Sequence, residues 1–391
     1  MTHDARVDRP SRKELGRLLM ETRAMSSDWA PTFATVDRAA FLPDLMWPFD
    51  VARQSSTVAD RAEDPEGWFA AADANDPIVT QWDDGRHRGR EPGRVSTSSS
   101  SMPSVVYSLL QDLDVDDGMT VLDVGTGTGE TAGALAHRLG GGNVTTIEVD
   151  RAVSAHARER LCTLGLYPRV LVGDGFGGDP AGGPYDRILA TVGLRCFPGA
   201  WVEQVRHGGL IVAPWGTHFT SGDAVACLRV KGGEASGRFT RHVEFMKLRA
   251  QRVGARPHAE YLEAGAFANA VTSTTEVAEA DFVTGRYTDL PFVLGLRVPD
   301  VVQAVADKRD GSRPVWFYSR SDLSWACVMF RDGREHAQVW QSGPRRLWDE
   351  VFEAYGWWFR QGRPTVERFG LTVGPHGHRV WLDHPGSHWA V

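Results

Sequence analysis

Between residues 119 and 248 short apolar runs alternate with longer stretches whose apolar positions recur at helical spacing, the pattern of a parallel sheet wrapped by helices. The runs at 120–124, 144–149, 170–172, 187–191 and 209–213 predict strands, and 130–139, 152–164 and 201–205 predict the helices between them. Two later runs, 224–230 and 243–248, alternate as strands that close one end of the sheet. Upstream, Leu15, Leu18, Leu19 and Met25 among charges predict an amphipathic helix over 11–26, with Phe33 and Val36 continuing into a second. FLPDLMWPF at 41–49 combines prolines with large aromatics, which predicts an extended path with bulky side chains to bury. Residues 50–96 are rich in Asp, Arg and Gly and read as an irregular surface connection, with a hairpin turn at Trp82-Asp83-Asp84-Gly85.

After Gln251 the character shifts, and eight of the fourteen tryptophans lie between Trp316 and Trp389. Strand runs at 314–318, 325–330 and 338–340, a helix over 347–361, and strands from about 372 and at 378–382 predict a smaller α+β domain. The expected organisation is an N-terminal extension over 1–96, a central α/β domain over 97–251 and a C-terminal accessory domain over 252–391 that recognises a peptide.

Composition removes several classes. A hydrophobic fraction of 42% and a charged fraction of 24% are ordinary for a globular chain, and a net charge of −7 gives no overall electrostatic reason to hold nucleic acid. The four cysteines form no CxxC pair, so neither a zinc site nor a disulfide framework is indicated, and no metal is expected. The start, MTHDARVDRPSRKELGRLL, lacks the apolar run of a signal peptide, and no later stretch is apolar enough to span a bilayer. The expectation is a soluble, cytoplasmic chain with no membrane partner.

The candidate chemistry starts at the loop Gly125-Thr126-Gly127-Thr128-Gly129, between the apolar strand VLDV and a helix, where glycines let backbone amides approach a ligand. A dinucleotide fingerprint would carry a third spaced glycine at position 130; Glu130 stands there, and an acid is the wrong partner for pyrophosphate. The GxGxG form suits the zwitterionic amino-acid end of S-adenosylmethionine, with Asp123 beneath the loop available to the ammonium directly or through water. The next strand ends in Glu148 and Val149, where the carboxylate can accept two ribose hydroxyls. Asp174 and Gly175, in Gly173-Asp174-Gly175, can receive the adenine amine and admit the ring. The expected fold is therefore α/β: a Rossmann-like class I S-adenosylmethionine-dependent methyltransferase sheet, with an N-terminal helical extension and a C-terminal α+β accessory domain.

VLDVGTGTGETAGALAHRLG at 121–140, GDGFGG at 173–178, PYDRILATVG at 184–193 and GGLIVAPWG at 208–216 resemble the protein-L-isoaspartate O-methyltransferases, in the family order. DRAAFLP at 37–43 and STSSSSM at 96–102 are similar to the family's segment entering the cofactor domain and to its acceptor block, and the resemblance spans about residues 30–250. It implies a catalytic role for Ser98, beside the acceptor carboxylate, with Thr97 and Ser99 near it, while Ser100 and Ser101 replace the family's proline and histidine. It also implies S-adenosylmethionine as methyl donor, S-adenosylhomocysteine as product, and a carboxylate ester that closes to a succinimide. A carboxylate is already ionised near neutral pH, so such a reaction needs positioning more than a general base.

The family is usually about half this length and lacks the Trp-rich region. Together the serine block, the long 50–96 segment and the C-terminal region resemble a variant associated with ribosomally synthesised, post-translationally modified peptides. Those enzymes methylate an aspartate side chain of a lanthipeptide or graspetide, giving a succinimide that persists or opens to isoaspartate, and the lanthipeptide branch is the favoured reading. Repair of L-isoaspartyl proteins is the rival, and a non-catalytic peptide-binding module is a third reading. A nucleic-acid methyltransferase is disfavoured because the fourth strand ends in Ala190-Thr191-Val192-Gly193 and not in an Asn-Pro-Pro-Tyr-like element. Trp357, Trp358 and Phe359 read as core packing and the C-terminal histidines as surface residues, whereas Arg86, Arg88, Arg90 and Arg94 form a basic run that could meet an acidic peptide.

Overall fold

The computed structural model describes residues 9–254, 256–263, 265–285 and 287–391. The first eight residues, which belong to the stretch read as lacking a signal peptide, lie outside the described residues.

Strand Val121–Val124 is buried at every position, as a strand covered on both faces must be. It pairs in parallel with Val144–Glu148 on one side and Tyr185–Ala190 on the other. Arg169–Val172 and Val205–Trp215 extend the parallel set at its two edges. Helices Glu130–Leu139, Arg151–Thr163 and Gly199–Glu203 make the crossovers. The reversal of strand order falls between Val121–Val124 and Tyr185–Ala190, the place where open α/β sheets bind ligands.

Beyond Val205–Trp215 the sheet turns antiparallel through Asp223–Lys231 and Glu234–Val243. The run at 243–248, expected to be a strand, is not one; it leaves the sheet and crosses the ligand end of the strands. The strands expected to complete a C-terminal domain also go elsewhere. Phe369–Gly374 pairs with Glu234–Val243, and Gly377–Leu382 and His388–Ala390 follow it, so one sheet of ten strands carries both ends. The reason is apolar continuity: Phe369, Leu371, Val373, Val380 and Leu382 share a core with Ile188, Ile211 and Phe239 of the central sheet. Between the two halves, Val271–Thr275, Val301–Val305, Ser312–Ser319, Trp325–Arg331 and Ala337–Ser342 form a separate antiparallel sheet, packed on helix Leu347–Arg360.

The N-terminal region is more ordered than its composition indicates. Helices Pro10–Glu21 and Ala30–Thr35 match the two expected ones. Residues 50–96, read as irregular, contain helix Pro65–Ala72 and strand Ile78–Trp82, with Trp68 buried. The correction has a physical cause: strand Leu45–Asp50 pairs with Ile78–Trp82, which pairs with Ser96–Ser100, so short segments that cannot stand alone complete one another. This small sheet leans on the central one and delivers the serines to the glycine loop.

Candidate active site

The cleft at the strand ends is floored by the glycine loop. Gly125, Gly127 and Gly129 have φ of 99°, 53° and 95°, a region that side chains other than glycine enter at a cost. A Cβ on Gly125 would lie 2.7 Å from Val192 Cγ1, and one on Gly127 would lie 3.3 Å from the Ser99 carbonyl oxygen. The loop therefore abuts both the fourth-strand end and the serine strand. Glu148 fixes it from the side: the Gly127 N–H donates to Glu148 Oε2 at 3.1 Å and the Asp150 N–H to Oε1 at 3.0 Å.

Gly125, Thr126, Gly127, Glu148, Val149, Asp174 and Gly175 all line the cleft. Asp174 accepts the Phe176 N–H at 3.0 Å and keeps its carboxyl at the cleft wall. A Cβ on Gly175 would meet Val124 Cγ1 at 2.5 Å. Two residues expected to bind the cofactor sit differently. Gly129 lies against Ala157, where it packs two helices together. Asp123 is fully buried beneath the loop, behind a chain of hydroxyls. The Thr146 hydroxyl donates to Asp123 Oδ2 at 2.7 Å and meets the Thr126 hydroxyl at 2.6 Å. Burial pushes the Asp123 carboxyl up to about 7, against the opposing hydrogen bond from Thr146.

Strand Ser96–Ser100 forms the opposite wall, and its hydroxyls divide between tasks. Thr97 donates to Gln81 Oε1 at 2.8 Å and accepts the Asp84 N–H at 3.1 Å. Ser98 accepts from the Thr80 hydroxyl at 3.3 Å, which leaves its own hydrogen to donate. Ser99, half-buried, makes no side-chain hydrogen bond among the described residues and faces the cleft. Ser100 is structural: it accepts from Arg38 Nε at 2.8 Å and donates to Glu130 Oε2 at 2.7 Å. Arg38 also donates to the carbonyls of Asp76, Ser100 and Ser101, at 2.9, 3.2 and 3.0 Å. Its guanidinium is lowered and the Glu130 carboxyl raised, each by burial and against their mutual attraction.

The roof was not visible in the sequence. Met246, Lys247, Leu248, Arg249 and Arg252 cross the cleft on the segment expected to be a strand. Lys247 and Arg195 anchor it to the buried Asp223. Arg252 reaches Asp84 at 2.9 Å, and Arg249 reaches Asp84 at 3.3 Å and Asp150 at 3.5 Å. Asp83 and Asp84 both have positive φ, 54° and 52°, a strained turn that aims Asp84 at the two arginines. The sequence signal was the close spacing of Lys247, Arg249 and Arg252; their partners lie far away along the chain.

A glycine-loop cleft at the switch point of this sheet, with one acid at the second strand end and another after the third, defines a class I S-adenosylmethionine-dependent methyltransferase fold. Residues 91–252 match the family described as protein-L-isoaspartate(D-aspartate) O-methyltransferase. The chain is 33% identical to the protein-L-isoaspartate O-methyltransferase of Thermotoga maritima over 141 residues, 36% of this chain and 42% of that protein. It is 35% identical to the one from Thermococcus onnurineus over 150 residues, 38% of this chain and 68% of that protein. The chain belongs to the protein-L-isoaspartate O-methyltransferase family. It spans between 42% and 68% of the length of these and two further curated relatives that it matches. A solved structure of a protein-L-isoaspartate O-methyltransferase aligns over 95% of this chain and 100% of its own, with a TM-score of 0.52 and 19% identity, a likeness of fold.

Proposed function

We propose that this protein is an S-adenosylmethionine-dependent carboxyl O-methyltransferase that acts on an aspartyl carboxylate within a peptide. The observation that carries the reading is one cleft in which Thr97, Ser98 and Ser99 face the glycine loop, Glu148 and Asp174. The cofactor supplies an activated methyl group; the chain's own residues bind, orient and shield. Glu148 accepts the ribose hydroxyls and Asp174 the adenine amine, while Gly125 and Gly127 admit the amino-acid end. Ser98 and Ser99 donate hydrogen bonds to one oxygen of the acceptor carboxylate and leave the other in line with the methyl carbon.

In the transfer an oxygen lone pair forms the new C–O bond as the C–S bond breaks, and the ester is neutral. The next backbone nitrogen then attacks the ester carbonyl, methoxide leaves and takes up the amide proton as methanol, and a succinimide forms. Water opens that ring to aspartate or isoaspartate.

For the acceptor we favour the aspartate side chain of a ribosomally made, modified peptide, lanthipeptide before graspetide. An apolar cavity of about 560 Å³, floored by Ser99 and Ser101 and walled by Phe49, Val79, Met102 and Met246, adjoins the cleft and suits a bulky peptide. Repair of L-isoaspartyl proteins is the second reading, favoured by the curated protein-L-isoaspartate O-methyltransferases to which the chain is 33% and 35% identical. The test is mass spectrometry after incubation with S-adenosylmethionine and either a modified precursor peptide or an isoaspartyl hexapeptide. A gain of about 14 Da followed by loss of methanol on the aspartyl peptide supports the first reading. Reaction of the isoaspartyl hexapeptide alone selects repair, and binding of S-adenosylhomocysteine without transfer to either would leave a peptide-binding module.

A further inference from the structure

Beside the serine strand lies a third cavity, of about 330 Å³, that the methyl-transfer reading does not use. Its titratable lining residues are His87, Arg88, His156 and Arg160, all basic. Among the described residues none of the four forms an ion pair. His87 Nε2 meets the Glu91 carbonyl at 2.7 Å, and Arg88 donates to the carbonyls of Gly85 and His87. The acids whose charge acts on Arg160, Glu159 and Asp44, do not line the cavity, and Asp44 is paired with Arg61. Burial lowers the Arg160 guanidinium from its ordinary value, the condition of a cation taken partly out of water. Trp47 and Trp82 wall the cavity and keep its dielectric low.

Two residues, Ser98 and Gly127, belong to both this cavity and the cofactor cleft. A carboxylate held at Ser98 for methylation therefore has its chain neighbours within reach, because an extended peptide advances only about 3.3 Å per residue. We propose that the cavity is a second anchor for the acceptor peptide and takes the carboxylate of an acidic residue close to the methylated position, between Arg88 and Arg160. The inference rests on the carboxyl methyltransferase reading. It narrows the basic run of residues 86–94 to one member, since Arg90 is held by Glu63 and Asp60, Arg86 lies beside Asp84, and Arg94 does not line the cavity.

The probes are modified precursor peptides and hexapeptides, each with one aspartyl or isoaspartyl acceptor and, one to three positions away on either side, Glu, Gln or Lys. With the full chain we expect the best-placed Glu to lower KM about tenfold relative to Gln at the same position, and Lys to raise it. In Arg88→Gln/Arg160→Gln the Glu-to-Gln ratio falls to near one; Arg88→Gln alone, at an exposed position, removes part of it. The proposal is overturned if the full chain methylates these peptides with a KM indifferent to neighbouring charge. It is overturned equally if the double variant shifts the KM of Glu and Gln peptides by the same factor, as a general structural defect would. Transfer to no peptide at all, with S-adenosylhomocysteine still bound, sinks the carboxyl methyltransferase reading itself and this site with it.

Discussion

The floor of the cleft and its serine wall are built by opposite means. The floor is contiguous chain, 121–130, shaped by three glycines with positive φ and steadied by one carboxylate, Glu148. The wall and roof are assembled from distant pieces held by charge. Arg38 lies 62 residues from Ser100, and Arg252 lies 168 residues from Asp84. Backbone conformation can be written in a short motif, whereas ion pairing across a fold cannot. The two regions should therefore fail differently: the floor by losing its ligand, the wall by losing its structure.

The largest effect is expected at the wall. Arg38→Met removes the guanidinium that ties Ser100 and Ser101 to Asp76 and leaves the buried Glu130 with Ser100 as its remaining partner. Breaking one member of a buried pair costs about 3–5 kcal/mol, so the midpoint of denaturant unfolding should fall sharply. The double variant Arg38→Met/Glu130→Gln should recover part of that loss, because no unpaired buried charge remains. A loss below about 1 kcal/mol in the single variant would break the contrast with the floor.

At the floor the ordering reverses. Gly125→Ala puts a Cβ 2.7 Å from Val192 Cγ1 on a residue with φ of 99°. Adapting the loop should cost only about 1–2 kcal/mol of stability, yet it moves the amides that meet the ligand. Calorimetry should show affinity for S-adenosylhomocysteine falling by roughly tenfold to a hundredfold. Unchanged affinity would mean that the loop is not the cofactor floor.

What could be read from the sequence follows the same division. Strands 121–124 and 144–148, the glycine loop, Glu148 and Asp174 were legible because each sits at the end of its own apolar run. Residues 50–96 were not, since Ile78–Trp82 is a strand only because Leu45–Asp50 and Ser96–Ser100 flank it. The C-terminal strands were found as strands but not in their sheet, because antiparallel pairing of Glu234–Val243 with Phe369–Gly374 joins residues more than a hundred apart. Asp123 was placed under the loop, but its hydroxyl relay depends on Thr146, on the neighbouring strand. Glu130 was read as a charge that selects the cofactor; its partners Arg38 and Ser100 make it a strut.

The smallest effect should come from the roof, where charge again does the holding but water reaches it. The side chains of Arg249, Arg252 and Asp84 retain 28%, 28% and 37% of their exposure, and exposed pairs contribute about 0.2–1 kcal/mol each. Asp84→Asn removes the acid shared by both arginines and leaves Arg249 its longer contact with Asp150. The roof should then open more readily, and stopped-flow dissociation of S-adenosylhomocysteine should quicken by about twofold to fivefold at low ionic strength. The difference should fade toward 1 M salt, where screening shortens to about 3 Å. A salt-independent change would indicate that the strained turn at Asp83 and Asp84, not its charge, closes the cleft, since relief of backbone strain is not screened. No change at low salt would leave the roof held chiefly by the buried Asp223 with Lys247 and Arg195, and would place it with the serine wall as structure and not as a gate.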